Sequence, residues 1–290
     1  MKHRLDALYC RYNRFDLIHP DPLEFLHQYP DPEDREIVGM IASALAYGRV
    51  GQILKSVGSV LGIMGPSPLE YVHNTSPGDM AADLSGFVHR FARGDHLVAL
   101  LTGIKRILLQ EGSLQACFLA GYRPGHHDDA LPAMIHLADR LTDGGRLSPG
   151  HLMADPGRGS ACKRLSLFLR WMVRCDQVDP GGWQGFPAAK LIVPLDVHMH
   201  RVCRQMGLTR RNQADMRTAR EVTCAFRRWA PEDPVRYDFA LTRFGIRGEA
   251  DAEGLFAALT VAAGPEDDRP EKSLFPATKG RKPKKGCNHI

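Results

Sequence analysis

Residues 160–176 read SACKRLSLFLRWMVRCD, and a little further on residues 194–208 read PLDVHMHRVCRQMGL. In the first stretch Cys162, Leu165, Phe168, Leu169, Met172 and Val173 recur at helical spacing and share one face. A turn of about 100° per residue gathers Lys163, Ser166, Arg170 and Arg174 on the other face, with Leu167 at its border. Such a stripe is ordinarily a solvated helix face, and it also suits a surface that meets phosphate. In the second stretch Asp196 follows Pro194 and precedes the apolar-periodic Val197, Met199, Val202, Cys203 and Met206, the place of an N-cap. A helix N-terminus also favours a carboxylate that must stay ionised, so cap and catalyst are compatible roles.

Helical spacing extends outward from these two segments. Asp34–Ala46, His96–Leu109 and Ala130–Leu141 repeat in the same way, and strand alternation is almost absent. Pro32 and Pro234 fall at expected first turns, and Gly48, Gly65, Gly207 and Gly245 at expected left-handed caps. The pattern predicts an all-α fold of about ten helices. Thr142–Ser160, TDGGRLSPGHLMADPGRGS, reads as a loop between two groups of helices, so residues 1–264 are expected to form one domain of two lobes. From 265 to 290 proline and charge displace apolar periodicity, as in a basic disordered tail. Between the two key segments, VDPGGWQGFPAA (178–189) forces turns before the short apolar run Lys190–Leu195.

With 290 residues and 43% hydrophobic side chains the chain can bury a large core. Its 38 bases and 33 acids include five bases and no acids between 279 and 290, which leaves 33 against 33 over residues 1–278. Nucleic-acid binding would therefore have to rest on local patches rather than on net charge. No apolar run is long enough to span a membrane and the N-terminus has no signal-peptide core, so a cytoplasmic protein is expected. The seven cysteines are widely spread and fit reduced thiols.

The string IVPLDVHMHRV resembles the VPVDVHV-type segment of endonuclease III-like and 8-oxoguanine glycosylases, whose aspartate after the hairpin stabilises the reacting sugar. More closely, GSACKRLSLFLRWMVR, PLDVHMHR, YDFAL and EDREIVGMIASALAYGRV resemble a bacterial family known as domain of unknown function 2400, similar to a divergent glycosylase, over roughly Leu5 to Gly248. The resemblance implies a two-lobed helix-hairpin-helix glycosylase-like fold, a DNA substrate and Asp196 as a catalytic group. The usual hairpin LPGVG and its lysine are missing between Asp176 and Asp196. In the archaeal 8-oxoguanine glycosylase type the nucleophilic lysine lies upstream on a helix, and Lys163, thirty-three residues before Asp196, is similar. Lys190, six residues from Asp196, stays open as a second candidate. No closely spaced cysteines follow Asp196, so neither an iron–sulfur cluster nor any other cofactor is expected.

The pair suits base excision. The base leaves the stack, the glycosidic bond breaks with positive charge growing on the sugar, and a carboxylate stabilises it. A neutral lysine amine can attack C1′ to give a Schiff base, and cationic neighbours such as Arg164, Arg170 and Arg174 favour the neutral amine. Those three arginines, with Gly181 and Gly182 in the loop and His198 and Arg201 on the next helix, are the expected DNA contacts. Among Tyr47, Trp171 and Trp183, Trp183 is the expected base contact, although large rings serve mostly in cores. Two alternatives stand beside this reading. DVHMH also resembles the Asp-x-His-x-His metal motif of amidohydrolases, with Asp196, His198 and His200 as ligands of a hydrolase. The fold could also serve a non-catalytic nucleic-acid-binding protein.

Overall fold

A computed structural model describes residues 1–246; the end of the expected 1–264 domain and the expected basic tail at 265–290 lie outside the described residues. Twelve α-helices run in the order α1 (Lys2–Tyr12), α2 (Pro32–Ala44), α3 (Val50–Met64), α4 (Pro68–Asn74), α5 (Pro77–Asp83), α6 (Gly94–Glu111), α7 (Leu114–Ala120), α8 (Leu131–Thr142), α9 (Lys163–Val173), α10 (Val197–Gln205), α11 (Met216–Arg227) and α12 (Asp238–Ile246). Only one hairpin interrupts them among the described residues, β1 (Val88–His89) with β2 (Ala92–Arg93), so the chain is mostly helical. No described helix is long and apolar enough to cross a membrane.

Local chemistry sets the helix starts. Asp31 caps α2 with Pro32 at its first position, Ser67, Ser76 and Ser113 cap α4, α5 and α7, and Asp196 and Asp215 cap α10 and α11. Each side-chain oxygen takes an amide N–H that the first turn leaves without a partner. Gly65 and Gly207 close α3 and α10 in the left-handed region, at φ +77° and +70°. Two expected punctuation marks fall elsewhere. Pro234 lies in a run of turns before α12, because Asp238 and not Pro234 opens that helix, and Gly245 lies inside α12.

Two helices organise the interior. α2 is buried from Glu36 to Ala44 and packs along α9, where Gly39 permits the approach: a Cβ there would lie 3.3 Å from the ring of Phe168. α6, α7 and α8 pack together on one side. α1 packs on α12, and its flanks are held by Tyr9 Oη donating to Asp176 (2.9 Å) and Tyr237 Oη donating to Asp6 (2.7 Å). The segment 143–162 is irregular apart from short 3-10 turns at Gly150–Leu152 and Pro156–Arg158, as its glycines and prolines predict. Buried apolar residues before and after it belong to one continuous cluster that runs from Leu5 to Phe244.

Glu36 joins three parts of this core. Its carboxylate accepts the Leu114 and Gln115 amides at the start of α7 (2.9 and 3.2 Å) and the Trp183 indole N–H (3.0 Å). Burial pushes the carboxyl up to about 7 from its ordinary 4.5, partly offset by those three donors. Between these values the folded chain keeps a proton that the unfolded chain has lost, so this group's contribution to stability declines as pH rises from 4.5 to 7. Glu36→Gln, which has no proton to lose, should flatten the stability profile in that window in urea titrations. An unchanged slope would place the titration on another group.

Candidate active site

Lys163 is the first residue of α9 and Asp196 caps α10, so two helix N-termini meet where their side chains meet. Lys163 Nζ lies 3.8 Å from Asp196 Oδ2, with the two side chains 30% and 43% exposed. Asp196 divides its two oxygens: Oδ1 takes the Met199 amide at 2.8 Å, and Oδ2 is the one turned to Lys163. The amides of a first helical turn carry partial positive charge that adds to the ammonium, so the spot is suited to an anionic or electron-rich group.

Beside the pair a pocket of about 90 Å³ opens among Ser43, Ala44, Leu152, Cys162, Lys163 and Arg164. That is below the roughly 300 Å³ at which small-molecule pockets begin, so a ligand would lie across its mouth as well as inside it. Lys190 is not part of this place. It lines a separate groove of about 860 Å³ with Asp129, Arg220, Glu221 and Arg227, where both signs of charge are mixed. The geometry therefore brings Lys163, and not Lys190, to Asp196.

Several expected DNA contacts turn out to be interior. Every residue of α9 from Leu165 to Met172 is buried, so beyond Lys163 the stripe opposite the apolar face points inward and not to water. Arg170 is held by Asp179 (3.0 Å) and Asp238, and Arg174 by Asp179, Asp176 (2.7 Å) and Asp233 (2.9 Å). Their charge is spent on these acids, so they have neither reach to phosphate nor an unpaired charge to set beside Lys163. Gly181 sits at φ +66°, where a Cβ would come 2.9 Å from the Arg174 carbonyl, and its amide donates to Trp171 O at 3.0 Å. Gly182, at φ +133°, completes the same tight turn. The two glycines thus serve the return of the chain against α9 rather than a phosphate. Trp183 is 5% exposed and bound to Glu36, a core ring and not a base contact.

The remaining expected contacts stay near the surface. Arg164 donates to Ala44 O (2.7 Å) and to His151 O, and its guanidinium lies 4.9 Å above the Tyr47 ring. Arg201 is exposed on α10, and His198 is half-buried with its Nε2 enclosed and unpartnered. The metal reading of DVHMH meets a geometric obstacle. His198 and His200 are two helical positions apart and so point about 200° away from each other around the axis. His200 Nε2 is bonded to the Arg211 carbonyl at 3.0 Å. Among the described residues one metal-capable trio exists, Glu111, Cys117 and His136, and its Glu111 is already paired with Arg140 at 2.7 Å.

One feature of the site escaped the sequence. Asp238, in the YDFAL string, is a buried carboxyl that senses both members of the pair: burial pushes it up to about 6, Arg170 and then Lys163 pull it down, and Asp196 raises it. Tyr47 is held at the rim under Arg164. The family model described as Protein of unknown function (DUF2400) matches residues 21–247. The chain belongs to that family. The DUF2400 match begins after α1, later than the expected start at Leu5, and it takes in Lys163, Asp196, Asp238 and Tyr47. No curated protein and no solved structure matches the chain.

Cations at the two ends of α9 should respond differently to removal. Arg170→Met leaves Asp238 buried without its partner and Asp179 with Arg174 alone, and should cost about 3–5 kcal/mol of stability in urea denaturation. Lys163→Met removes a half-exposed pair and should cost less than about 1 kcal/mol. Equal costs would show that Lys163 belongs to the scaffold.

Proposed function

We propose that this protein is a DNA N-glycosylase with AP-lyase activity, Lys163 serving as nucleophile and Asp196 as the carboxylate that steadies the sugar. The observation that carries the reading is the Lys163–Asp196 contact, 3.8 Å apart at two converging helix N-termini and open to solvent. The resemblance of GSACKRLSLFLRWMVR and PLDVHMHR to a divergent helix-hairpin-helix glycosylase supports it. The chain between Arg174 and Asp196 contains only the 3-10 turn Ala188–Lys190, so the paired short helices of the common hairpin have no counterpart there.

In the proposed reaction an unpaired nucleotide lies across the small pocket with its C1′ at Lys163. The Lys163 ammonium gives a proton to the leaving base as the bond from C1′ to the base nitrogen breaks with its electron pair going to the base, and the amine so freed forms a bond to C1′. Asp196 Oδ2 faces the positive charge that grows on the sugar, while Oδ1 keeps the helix capped. The attached amine then loses its proton and the sugar ring opens to an imine. Loss of a C2′ proton expels the 3′ phosphate by β-elimination, and water releases the lysine.

The pocket's small size favours a second reading, a nucleic-acid-binding protein of the same family without excision chemistry. Borohydride trapping separates the two. With duplexes carrying 8-oxoguanine, uracil, thymine glycol or an abasic site, the protein should form a covalent adduct on at least one, and Lys163→Gln should abolish it. Asp196→Asn should keep the cap, the fold and DNA binding while slowing base release at least tenfold. DNA binding with neither adduct nor base release on any duplex would establish the binding-only reading, and base release without an adduct would make the protein a monofunctional glycosylase. Trapping that survives Lys163→Gln but not Lys190→Gln would move the nucleophile to the other groove.

A further inference from the structure

The two-stranded hairpin lies close to the candidate site through Arg164. Val88 pairs with Arg93 and His89 with Ala92, so Arg90 and Phe91 form a two-residue tip. Arg90 stands in the left-handed region at φ +53°, a conformation more usual for glycine, and lies against Gly48. Phe91 is 65% exposed, and the Arg90 guanidinium sits 5.3 Å from its ring. A phenylalanine projected from so tight a turn gains nothing from the core.

Behind the tip the rings continue inward. Phe91 meets His151 edge-on at 5.5 Å, His151 meets Tyr47 at 4.7 Å, and Tyr47 meets His89 at 4.6 Å. Tyr47 is fixed at both ends, its hydroxyl donating to His89 O (2.9 Å) and its carbonyl bonded to His89 Nε2 (3.1 Å). Arg164 covers the Tyr47 ring, donates to His151 O and is the chain neighbour of Lys163. Burial, joined at His151 by Arg164 and Arg90, holds both histidines below their ordinary value, so they present neutral rings at pH 7.

The segments that carry these rings are themselves free of acids, with Asp95 and Asp155 at their edges. Segments 37–69, 84–94, 144–154 and 156–175, which supply the rings and the pocket wall, contain no aspartate or glutamate. They carry the exposed Arg49, Arg90 and Arg93, none of which is ion-paired among the described residues. Exposed rings interleaved with unpaired arginines are what a single nucleic-acid strand requires: each base offers a face to stack on, and each phosphate a charge to neutralise.

We propose that Phe91, backed by His151 and Tyr47, is a stacking platform for an unpaired nucleobase, with Arg49, Arg90 and Arg93 holding the phosphates of the same strand. The proposal builds on the DNA reading given above and assigns the recognition of the exposed strand to a part of the molecule that touches neither Lys163 nor Asp196. The platform admits any base, because it offers ring faces and positive charge but no donor or acceptor aimed at a base edge.

The test uses the full chain and a duplex with a one-nucleotide bulge of 2-aminopurine, whose fluorescence changes on stacking. Binding should change that fluorescence, and Phe91→Ala should erase the change and weaken affinity about tenfold. Phe91→Tyr should restore both, because the ring and not the residue matters. Arg90→Gln with Arg93→Gln should lower the dependence of affinity on salt. Lys163→Gln should abolish trapping while the Phe91-dependent fluorescence change remains, which separates the platform from the chemistry. If Phe91→Ala binds and stacks like the wild type while Lys163 is still trapped by borohydride, the platform is wrong and the glycosylase reading stands. If Phe91-dependent stacking persists without any trapping, the platform stands and Lys163 as nucleophile falls. If the wild-type protein binds no DNA, or Phe91→Ala instead changes its oligomeric state, the platform is overturned.

Discussion

Arg170 and Arg174 leave water when α9 enters the core, and a guanidinium out of water needs carboxylates within hydrogen-bond reach. Asp179 reaches both, Asp238 meets the first, and Asp176 and Asp233 meet the second. These acids come from the turn after α9, from the chain ahead of α12 and from α12 itself, so satisfying two cations fixes the turn that follows the helix and draws the α12 region, 59 to 68 residues on, against it. α2 closes the opposite side through Gly39 and Phe168. A helix clamped in this way cannot roll or slide, and the position of its first residue, Lys163, is set by groups two or more turns away.

The helices were legible because apolar spacing and capping residues are local signals. Pro32, Gly65 and Gly207 mark their ends where expected. The role of Asp196 was legible for the same reason, since an N-cap is announced by its immediate neighbours. The stripe on α9 was misread because one helix's periodicity assigns polar residues to solvent, whereas here the partner acids are as far as 68 residues away in sequence. Trp183, Gly181 and Gly182 sit in a stretch whose composition announces turns but not what the turns pack against. The hairpin was invisible, because strands of two residues are too short for alternation to register.

A neutral overall balance conceals how the charges are sorted. Four aspartates are gathered around Arg170 and Arg174 in the interior, where they serve folding. The segments bearing the pocket and the hairpin hold bases without acids. Equal counts of the two signs over residues 1–278 are therefore compatible with a surface that is locally positive, because four acids are gathered on only two arginines away from it.

The two oxygens of Asp196 have separate employers, one the helix and the other the lysine. Asparagine or serine at this position would satisfy the helix equally well, and the fold makes little demand on Lys163. Evolutionary drift can therefore remove either member of the pair by single changes that selection for folding never notices. A lineage that has kept the lysine and the carboxylate together has kept them for a reason other than stability, whereas Arg170 would persist in either case.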